Sequence, residues 1–246
     1  MRLGNYHNHT GNLGFSYCAD SDLTLEWYLA QETEWSRVAI TDHGFNLAFP
    51  NEIAWGFKWH KDPRYFEEYR DYRLEKVERY LEMLSKLDGE FFLPGIEIEV
   101  TSWGDLTIEE QYLPHFQIIL GAIHHLSGQT EEEILASFWQ QINDLLRYPV
   151  DIIAHPFRIL ERKLGEIPLQ VLDRMVQQVT AAGVALELNS HYICSCDELM
   201  LKLVCKYGGK IAIGTDTHAR RELFDASYHL GLFERLGIVQ ENIFVK

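Results

Sequence analysis

Short apolar runs separated by polar segments recur along this chain of 246 residues. The runs are rich in Ile, Val and Leu, which is typical of parallel strands covered on both faces. They lie at 3–9, 37–41, 90–100, 115–123, 150–155, 183–189 and 209–215, with a short last run at 242–246. The pattern predicts a parallel sheet or barrel and a short strand at the end of the chain.

Helical patterns occupy the segments between these runs. They lie at 23–34, 64–87, 131–147, 168–182, 197–207 and 222–236. Thr130 is a suitable N-cap for the third segment, and Pro168 suits the first helical position of the fourth. Because strand and helix alternate along the whole chain, we expect a (β/α) barrel rather than a sandwich. No linker, repeat or low-complexity segment interrupts the alternation, so a single domain over 1–246 is expected.

The acidic composition limits the class of partner. The formal net charge is −15, whereas a general nucleic-acid binder needs clustered Lys and Arg to displace counterions. We therefore expect no long nucleic acid as a partner, although bound metal ions would still admit a small anionic substrate. No apolar run is long enough to span a bilayer, and the N-terminal residues lack the apolar stretch of a signal peptide. A cytoplasmic protein without a membrane partner is expected, and the oligomeric state stays open.

The cysteines match no zinc-finger spacing, and a cytoplasmic chain would keep them reduced. They are Cys18, Cys194, Cys196 and Cys205. The pair around Ser195 could bind a metal ion, but ordinary loop thiols are the favoured interpretation.

Six of the apolar runs end in a histidine or a carboxylate, and this repetition is the strongest chemical signal in the sequence. The ends read His7-Asn8-His9, Asp42-His43, Glu97, His124-His125, His155-Pro156 and Asp216-Thr217-His218. In a parallel barrel the carboxyl ends of all strands meet at one face, where the active site lies. We therefore expect these side chains to converge there and to bind metal ions.

Residues two apart on a strand project to the same side, so His7 and His9 can hold one ion. Asp216 and His218 repeat this spacing. Glu97 and Glu99 also share a face, and one of them should bind metal because an unpaired carboxylate inside a barrel is costly.

Two further strand ends carry histidines. Pro156 should fix the His155 imidazole at the mouth of its strand. Of His124 and His125, only one is expected to face inward.

The region 44–73 is dense in aromatic residues and directly follows Asp42-His43. It is interpreted chiefly as an insertion packed onto the barrel, with a wall that covers the substrate as the alternative.

The motifs HNHT, ITDHG, PGIE, GAIH, AHP and GTDTH occur in this order and resemble those of the polymerase-and-histidinol-phosphatase (PHP) superfamily. The resemblance extends from Tyr6 to His218. It implies a distorted (β/α)7, TIM-like barrel that binds three metal ions and hydrolyses phosphoesters. Two to three divalent transition-metal ions are expected, since histidine-rich sites suit Zn, Fe or Mn.

The resemblance also implies a distribution of ligands. The first ion would be held by His7, His9, Glu97 and Asp216. Glu97 would bridge to a second ion, held by His124 and His155. The third ion would be held by His43 and His218 with one more ligand from the loop after the first motif. That position falls on Asp20, with Cys18 as the competitor.

The leading hypothesis is the hydrolysis of a small phosphomonoester, with histidinol phosphate as the first candidate. A metal-activated hydroxide would attack phosphorus, and His218 or His43 could act as general acid. Arg158 is a candidate clamp for the phosphate, with a surface arginine on a loop as the alternative. Asn189, and less strongly His191, could line the pocket.

Two alternatives stay open: a nuclease or nucleotide phosphodiesterase acting on short nucleic acids, and a metal-binding domain without catalysis. No G-x-S-x-G, Walker or G-x-G-x-x-G motif is present. Amidohydrolases also begin with H-x-H, but no strand end here supplies their ligand lysine.

Overall fold

Seven parallel strands form a closed barrel in the computed structural model, which describes residues 2–246. The strands are β1 Gly4–Asn5, β2 Arg37–Ile40, β3 Phe92–Ile98, β4 Ile118–Gly121, β5 Ile152–Ile153, β6 Ala185–Asn189 and β7 Ile211–Gly214. They pair in chain order, and β7 closes on β1 where Asn5 meets Ile213. The predicted (β/α)7 barrel is therefore confirmed.

Helices surround the barrel and connect its strands. They are α1 Leu25–Leu29, α2 Gly44–Ala48, α3 Asn51–Ala54, α4 Arg64–Glu68, α5 Arg70–Leu84, α6 Glu131–Leu145, α7 Arg158–Leu164, α8 Leu169–Ala181, α9 Asp197–Tyr207 and α10 Ser227–Leu236. Thr130 caps α6, because its side chain accepts from the Glu133 N–H and the Glu133 carboxylate accepts from the Thr130 N–H. Pro168 precedes α8 as its N-cap residue.

Alternation along the strands separates two apolar layers. On β2, Val38 and Ile40 face the helices, while Ala39 belongs to a small cluster inside the barrel. Ala185 and Ala212 lie in that same inner cluster, where small side chains suit the narrow interior. Further along β3 and β6, toward their carboxyl ends, the inner face carries acidic side chains. The barrel interior is therefore apolar at one end and polar at the rim formed by the carboxyl ends of the strands.

Several predicted boundaries differ from the structure. The segment 23–34 is helical only over α1, and 64–87 contains two helices, α4 and α5, that end at Leu84. The segment 222–236 begins with a 3-10 turn, Glu222–Phe224, before α10.

The predicted strand at 242–246 is wrong, because this segment makes only one bridge, between Ile211 and Ile243. Phe244 instead packs against the inner cluster, with its ring 5.1 Å from that of Tyr6. An apolar run alone does not distinguish a strand from a terminal segment that packs against the inner cluster.

The aromatic insertion forms its own small core beside the barrel. Phe45, Phe49 and Trp59 are buried there. Phe45 stacks on His43 with ring centroids 4.9 Å apart. The insertion therefore also forms part of the wall around the rim of the barrel. Among residues 2–246, no helix is long and apolar enough to cross a membrane.

Candidate metal centre

The carboxyl ends of the strands bring the predicted imidazoles and carboxylates together at one rim. Four groups of buried or partly buried possible ligands overlap there, each with its ligand atoms within 4.8 Å of one another. They are His7/His9/Asp216, His7/Glu97/His155, His43/Glu97/Glu99/His124 and His9/His43/His218. Every residue of the predicted ligand set except Asp20 lies in at least one of them. The clusters could hold several metal ions.

The first group contains the two histidines that follow β1. His9 Nε2 lies 3.0 Å from Asp216 Oδ1, and His7 Nε2 lies 3.5 Å from the same oxygen. Gly214 leaves the space that this arrangement needs, since a Cβ there would collide with Glu187 and with the Cβ of His7.

Glu97 is the centre of the second group. Its Oε1 lies 3.0 Å from His155 Nε2 and 3.5 Å from both His7 Nε2 and His124 Nε2. Its other oxygen contacts His43 Nδ1. One carboxylate therefore reaches the imidazoles of four different strand ends.

Glu99 belongs to the group with His43, Glu97 and His124, whereas His125 lies outside the centre. Glu99 is buried, with Oε1 3.3 Å from His124 Nδ1 and Oε2 accepting from the Phe45 N–H. His124 faces inward, whereas His125 stacks on Phe57 in the aromatic insertion. Only one histidine of this pair faces the centre, as the strand geometry predicts.

The third group bears on the choice between Asp20 and Cys18 as the loop ligand. Asp20, favoured from the sequence, is exposed and belongs to none of the groups. Cys18 is also exposed and outside these groups, but its Sγ lies 3.3 Å from His43 Nε2 and 3.0 Å from His218 Nε2. The backbone explains the difference, since the Asp20 N–H donates to the His218 carbonyl and its own carbonyl accepts from Leu23. These bonds hold the Asp20 backbone near the rim while its side chain points to solvent.

The donor set fits metal ions, because hydrogen-bond acceptors face one another inside the barrel. His7 Nδ1 lies 2.7 Å from Glu187 Oε1, so that nitrogen carries the proton. A metal ion bound at His7 Nε2 would therefore lie between this nitrogen and the oxygens of Glu97 and Asp216. His7 Nε2, Glu97 Oε2 and both ring nitrogens of His124 lack hydrogen-bond partners among the described residues. Buried lone pairs that face each other are stabilised by a cation between them.

Glu187 was missed by the sequence analysis. It lies on β6, with Oε1 facing His7 and Oε2 accepting from the His155 N–H. Glu187 and Asn189 are two residues apart on a strand, as Glu97 and Glu99 are. This spacing could have identified Glu187 from the sequence.

A second missed contact supports His9. Ser16 Oγ lies 3.1 Å from His9 Nδ1 and donates to Asp42 Oδ1, which also accepts from the Thr10 N–H. Asp42 thus anchors the loop rather than joining the ligand groups. Burial raises the pKa of Asp42 to about 6, although the bonds from Ser16 and Thr10 oppose this.

Opposite charges dominate the electrostatics of the centre. Burial would lower the pKa of His7, but Glu187 and Asp216 outweigh it and raise that pKa well above its usual value. Burial would raise the pKa of Glu97, but His124 and His43 hold it well below its usual value. The opposite charges of these buried groups therefore stabilise one another.

The backbone is strained at two of the clustered residues. His155 has φ +29° and Asp216 has φ +50°, in the left-handed region that few side chains other than Gly, Asn and Asp adopt. For His155 this departs from the extended conformation that Pro156 would favour. Such strain concentrates at functional sites, where the surrounding contacts maintain it.

Arg158 is the first residue of α7 rather than part of a surface loop. Its Nη1 lies 3.4 Å from Asp216 Oδ2, and its side chain is 14% exposed. Asn189 Nδ2 lies 3.3 Å from the same oxygen. The ring of His191 lies 4.6 Å from that of His218. The structure therefore brings all three predicted pocket residues to the same rim.

Comparison with known proteins agrees with this geometry. A probable phosphatase of Syntrophotalea carbinolica is 24% identical over 245 residues, covering 96% of this chain and 89% of that protein. A probable phosphatase of Thermoanaerobacter sp. is 22% identical, covering 96% of this chain and 86% of that protein. The DNA polymerase/3'-5' exonuclease PolX of Bacillus subtilis is 26% identical over 189 residues, which are 29% of its own length. No protein-family model matches the chain.

One solved structure has the same fold. It is histidinol phosphate phosphatase of Lactococcus lactis subsp. lactis, complexed with zinc, L-histidinol and phosphate. The TM-score is 0.59 at 16% identity, covering 97% of this chain and 95% of that one. Together with the ordered motifs, these similarities confirm the predicted resemblance to the PHP superfamily and support a metal-dependent phosphoesterase.

Proposed function

We propose that this protein is a phosphatase that hydrolyses a small phosphomonoester at a centre of up to three transition-metal ions. The observation that carries the proposal is Glu97, whose carboxylate contacts the imidazoles of His7, His43 and His155 inside a closed barrel. No structural role requires so many buried lone pairs to face one another.

The ligand assignment is the one that the resemblance implies, and its residues lie together in the overlapping groups at the rim. The first ion would be held by His7, His9, Glu97 and Asp216, and the second by Glu97, His124 and His155. The third would be held by His43 and His218 with a ligand from the loop at 10–20. When bound, Zn, Mn or Fe ions supply Lewis acidity and lower the pKa of water enough to provide hydroxide near neutral pH.

Side chains at the edge of the centre position the phosphate. Arg158 contacts Asp216 and remains partly exposed, so its guanidinium can turn toward an incoming phosphate. Asn189 offers an amide next to it. His218 lies at the open side of the rim, 14% exposed, and metal ligation there would limit the general-acid role that the sequence suggested for it.

The substrate proposal is a compact organic phosphate, and histidinol phosphate is the first to test. The solved structure with this fold holds L-histidinol and phosphate. The net charge of −15 disfavours long polyanions, and the aromatic wall beside His43 suits a small organic group.

A metabolite screen tests this function. Purified protein is assayed against a panel of phosphomonoesters and short oligonucleotides, and its metal content is measured on the same sample. We expect phosphate release that is lost after chelation and restored by Zn, Mn or Fe. Cleavage of oligonucleotides without turnover of any phosphomonoester would favour the nuclease alternative, and bound metal without hydrolysis of either would favour a non-catalytic domain. Less than about one ion per chain would contradict the metal centre itself.

A further inference from the structure

Two imidazole nitrogens point at a single thiol beside the proposed third metal site. His218 Nδ1 lies 2.6 Å from the carbonyl oxygen of Asp216, so Nδ1 carries the proton and Nε2 carries the lone pair. His43 Nδ1 contacts the Glu97 carboxylate, so His43 also presents its Nε2 to the loop. Both Nε2 atoms are directed at Cys18 Sγ, at 3.3 Å for His43 and 3.0 Å for His218.

A thiol cannot satisfy both imidazoles, because it has one proton to donate. A thiolate would leave two lone pairs facing an anionic sulfur. A cation among the three atoms satisfies all of them, since Nε2 of each imidazole and the sulfur are all electron-pair donors.

Three histidines define this site independently of Cys18. His9, His43 and His218 each offer a nitrogen within 4.8 Å of the others, and His9 and His43 are fully buried. Neither Asp20 nor Cys18 is a member of this group, but Cys18 Sγ lies within 3.3 Å of nitrogens of two of the three histidines. The sulfur therefore completes a site that three histidines already outline.

We propose that Cys18 ligates the third ion as a thiolate with His43 and His218, which makes this site softer than the other two. Soft thiolate ligands favour Zn²⁺ and Co²⁺ over Mn²⁺ and Mg²⁺. The third ion should thus be a thiophilic metal even where the first two sites accept manganese. The inference rests on the proposed metal-dependent function, but it is tested by spectroscopy that does not depend on turnover.

Cobalt provides the test, because thiolate ligation of Co²⁺ produces a charge-transfer band in the near ultraviolet that imidazole and carboxylate ligands do not. Full-length protein is stripped with chelator and titrated with Co²⁺. We expect the band in the wild type, its loss in Cys18→Ser, and its retention in Asp20→Ala. Cys205→Ser, which changes a partly buried thiol on α9, is the matched control and should retain the band.

Other outcomes overturn the inference. Cobalt binding without a band, or a band that survives Cys18→Ser, would show that Cys18 is not a ligand. Loss of about one ion from Asp20→Ala but not from Cys18→Ser would assign the position to the carboxylate. In each of these cases phosphatase activity can persist, so failure here is separate from failure of the proposed function.

A second measurement needs only the wild type, in case Cys18→Ser does not fold. Cys18 is exposed at the rim, so iodoacetamide should alkylate it in metal-free protein. Zn²⁺ should protect Cys18 and leave the labelling of Cys205 unchanged, as followed by peptide mass spectrometry. Equal labelling of Cys18 with and without Zn²⁺ would contradict the proposal.

Discussion

His7 Nδ1 lies 2.7 Å from Oε1 of Glu187, and this contact decides which nitrogen of His7 is available to a metal ion. The second oxygen of Glu187 accepts from the His155 N–H, so one carboxylate orients ligands from two strand ends. Carboxylates that accept from a ligating imidazole fix its tautomer and raise its basicity.

Glu187→Ala should therefore weaken metal binding without removing a ligand. We expect a loss of about 10- to 100-fold in metal affinity, the range typical of such supporting residues. Competition with a chromophoric chelator measures this. Glu131→Ala, which removes an exposed carboxylate from the first turn of α6, is the control and should bind metal normally. Unchanged affinity in Glu187→Ala would mean that neighbouring contacts alone orient His7.

Glu97→Gln should be the most damaging carboxylate substitution. Glu97 contacts imidazoles from four strand ends, so the change should remove about two of the ions and abolish activity. Glu99→Ala should be milder, because one oxygen of Glu99 faces His124 Nδ1 at the edge of the centre and the other accepts from the Phe45 N–H. Elemental analysis and a phosphatase assay compare the two variants. The opposite order of severity would show that Glu99 faces the ions.

The strand-end pattern predicted most of the centre, because a parallel barrel converts sequence order into one shared rim. His7, Glu97 and Asp216 could be placed this way, since each directly follows or belongs to a strand. Glu187 was also predictable, because it stands two residues before Asn189 on β6.

The loop ligand could not be predicted in the same way. Asp20 and Cys18 both lie on an irregular segment, and no strand or helix period relates them to the rim. The position of this segment depends on the backbone hydrogen bond from Asp20 to His218, which joins distant parts of the chain. For the same reason the sequence did not reveal that Phe244 packs against the inner cluster instead of adding a strand.

Arg158→Ala should reduce catalysis while leaving the metal ions in place. If the guanidinium clamps the phosphate, its loss should cost about 1.5–3 kcal/mol, or about 10- to 100-fold in kcat/KM. Arg162→Ala is the matched control, since Arg162 lies on α7 but is exposed over Tyr192. Kinetics and metal content are measured on the same preparations. Loss of metal from Arg158→Ala would indicate that the contact with Asp216 is its main role.

His60 should make stability depend on pH. It is 2% exposed beside Trp59 and His125, and neither ring nitrogen has a hydrogen-bond partner among the described residues. Burial, together with the nearby His125 and Lys61, lowers its pKa from 6.5 to about 4. The unfolded chain therefore binds a proton between about pH 6.5 and pH 4 that the folded protein does not. The corresponding contribution to the free energy of unfolding is fully present above about pH 6.5 and is lost as the pH falls toward 4.

The shift corresponds to at most about 3 kcal/mol of unfolding free energy. Urea denaturation measures the free energy of unfolding at about pH 7.5 and about pH 5. The decrease between these two pH values should be smaller for His60→Phe than for the wild type. Metal ligation also depends on pH, but this dependence is common to both proteins and cancels in the comparison. His115→Gln, which changes an exposed histidine, should keep the wild-type decrease. An identical decrease in His60→Phe would show that His60 titrates alike in the folded and unfolded chains.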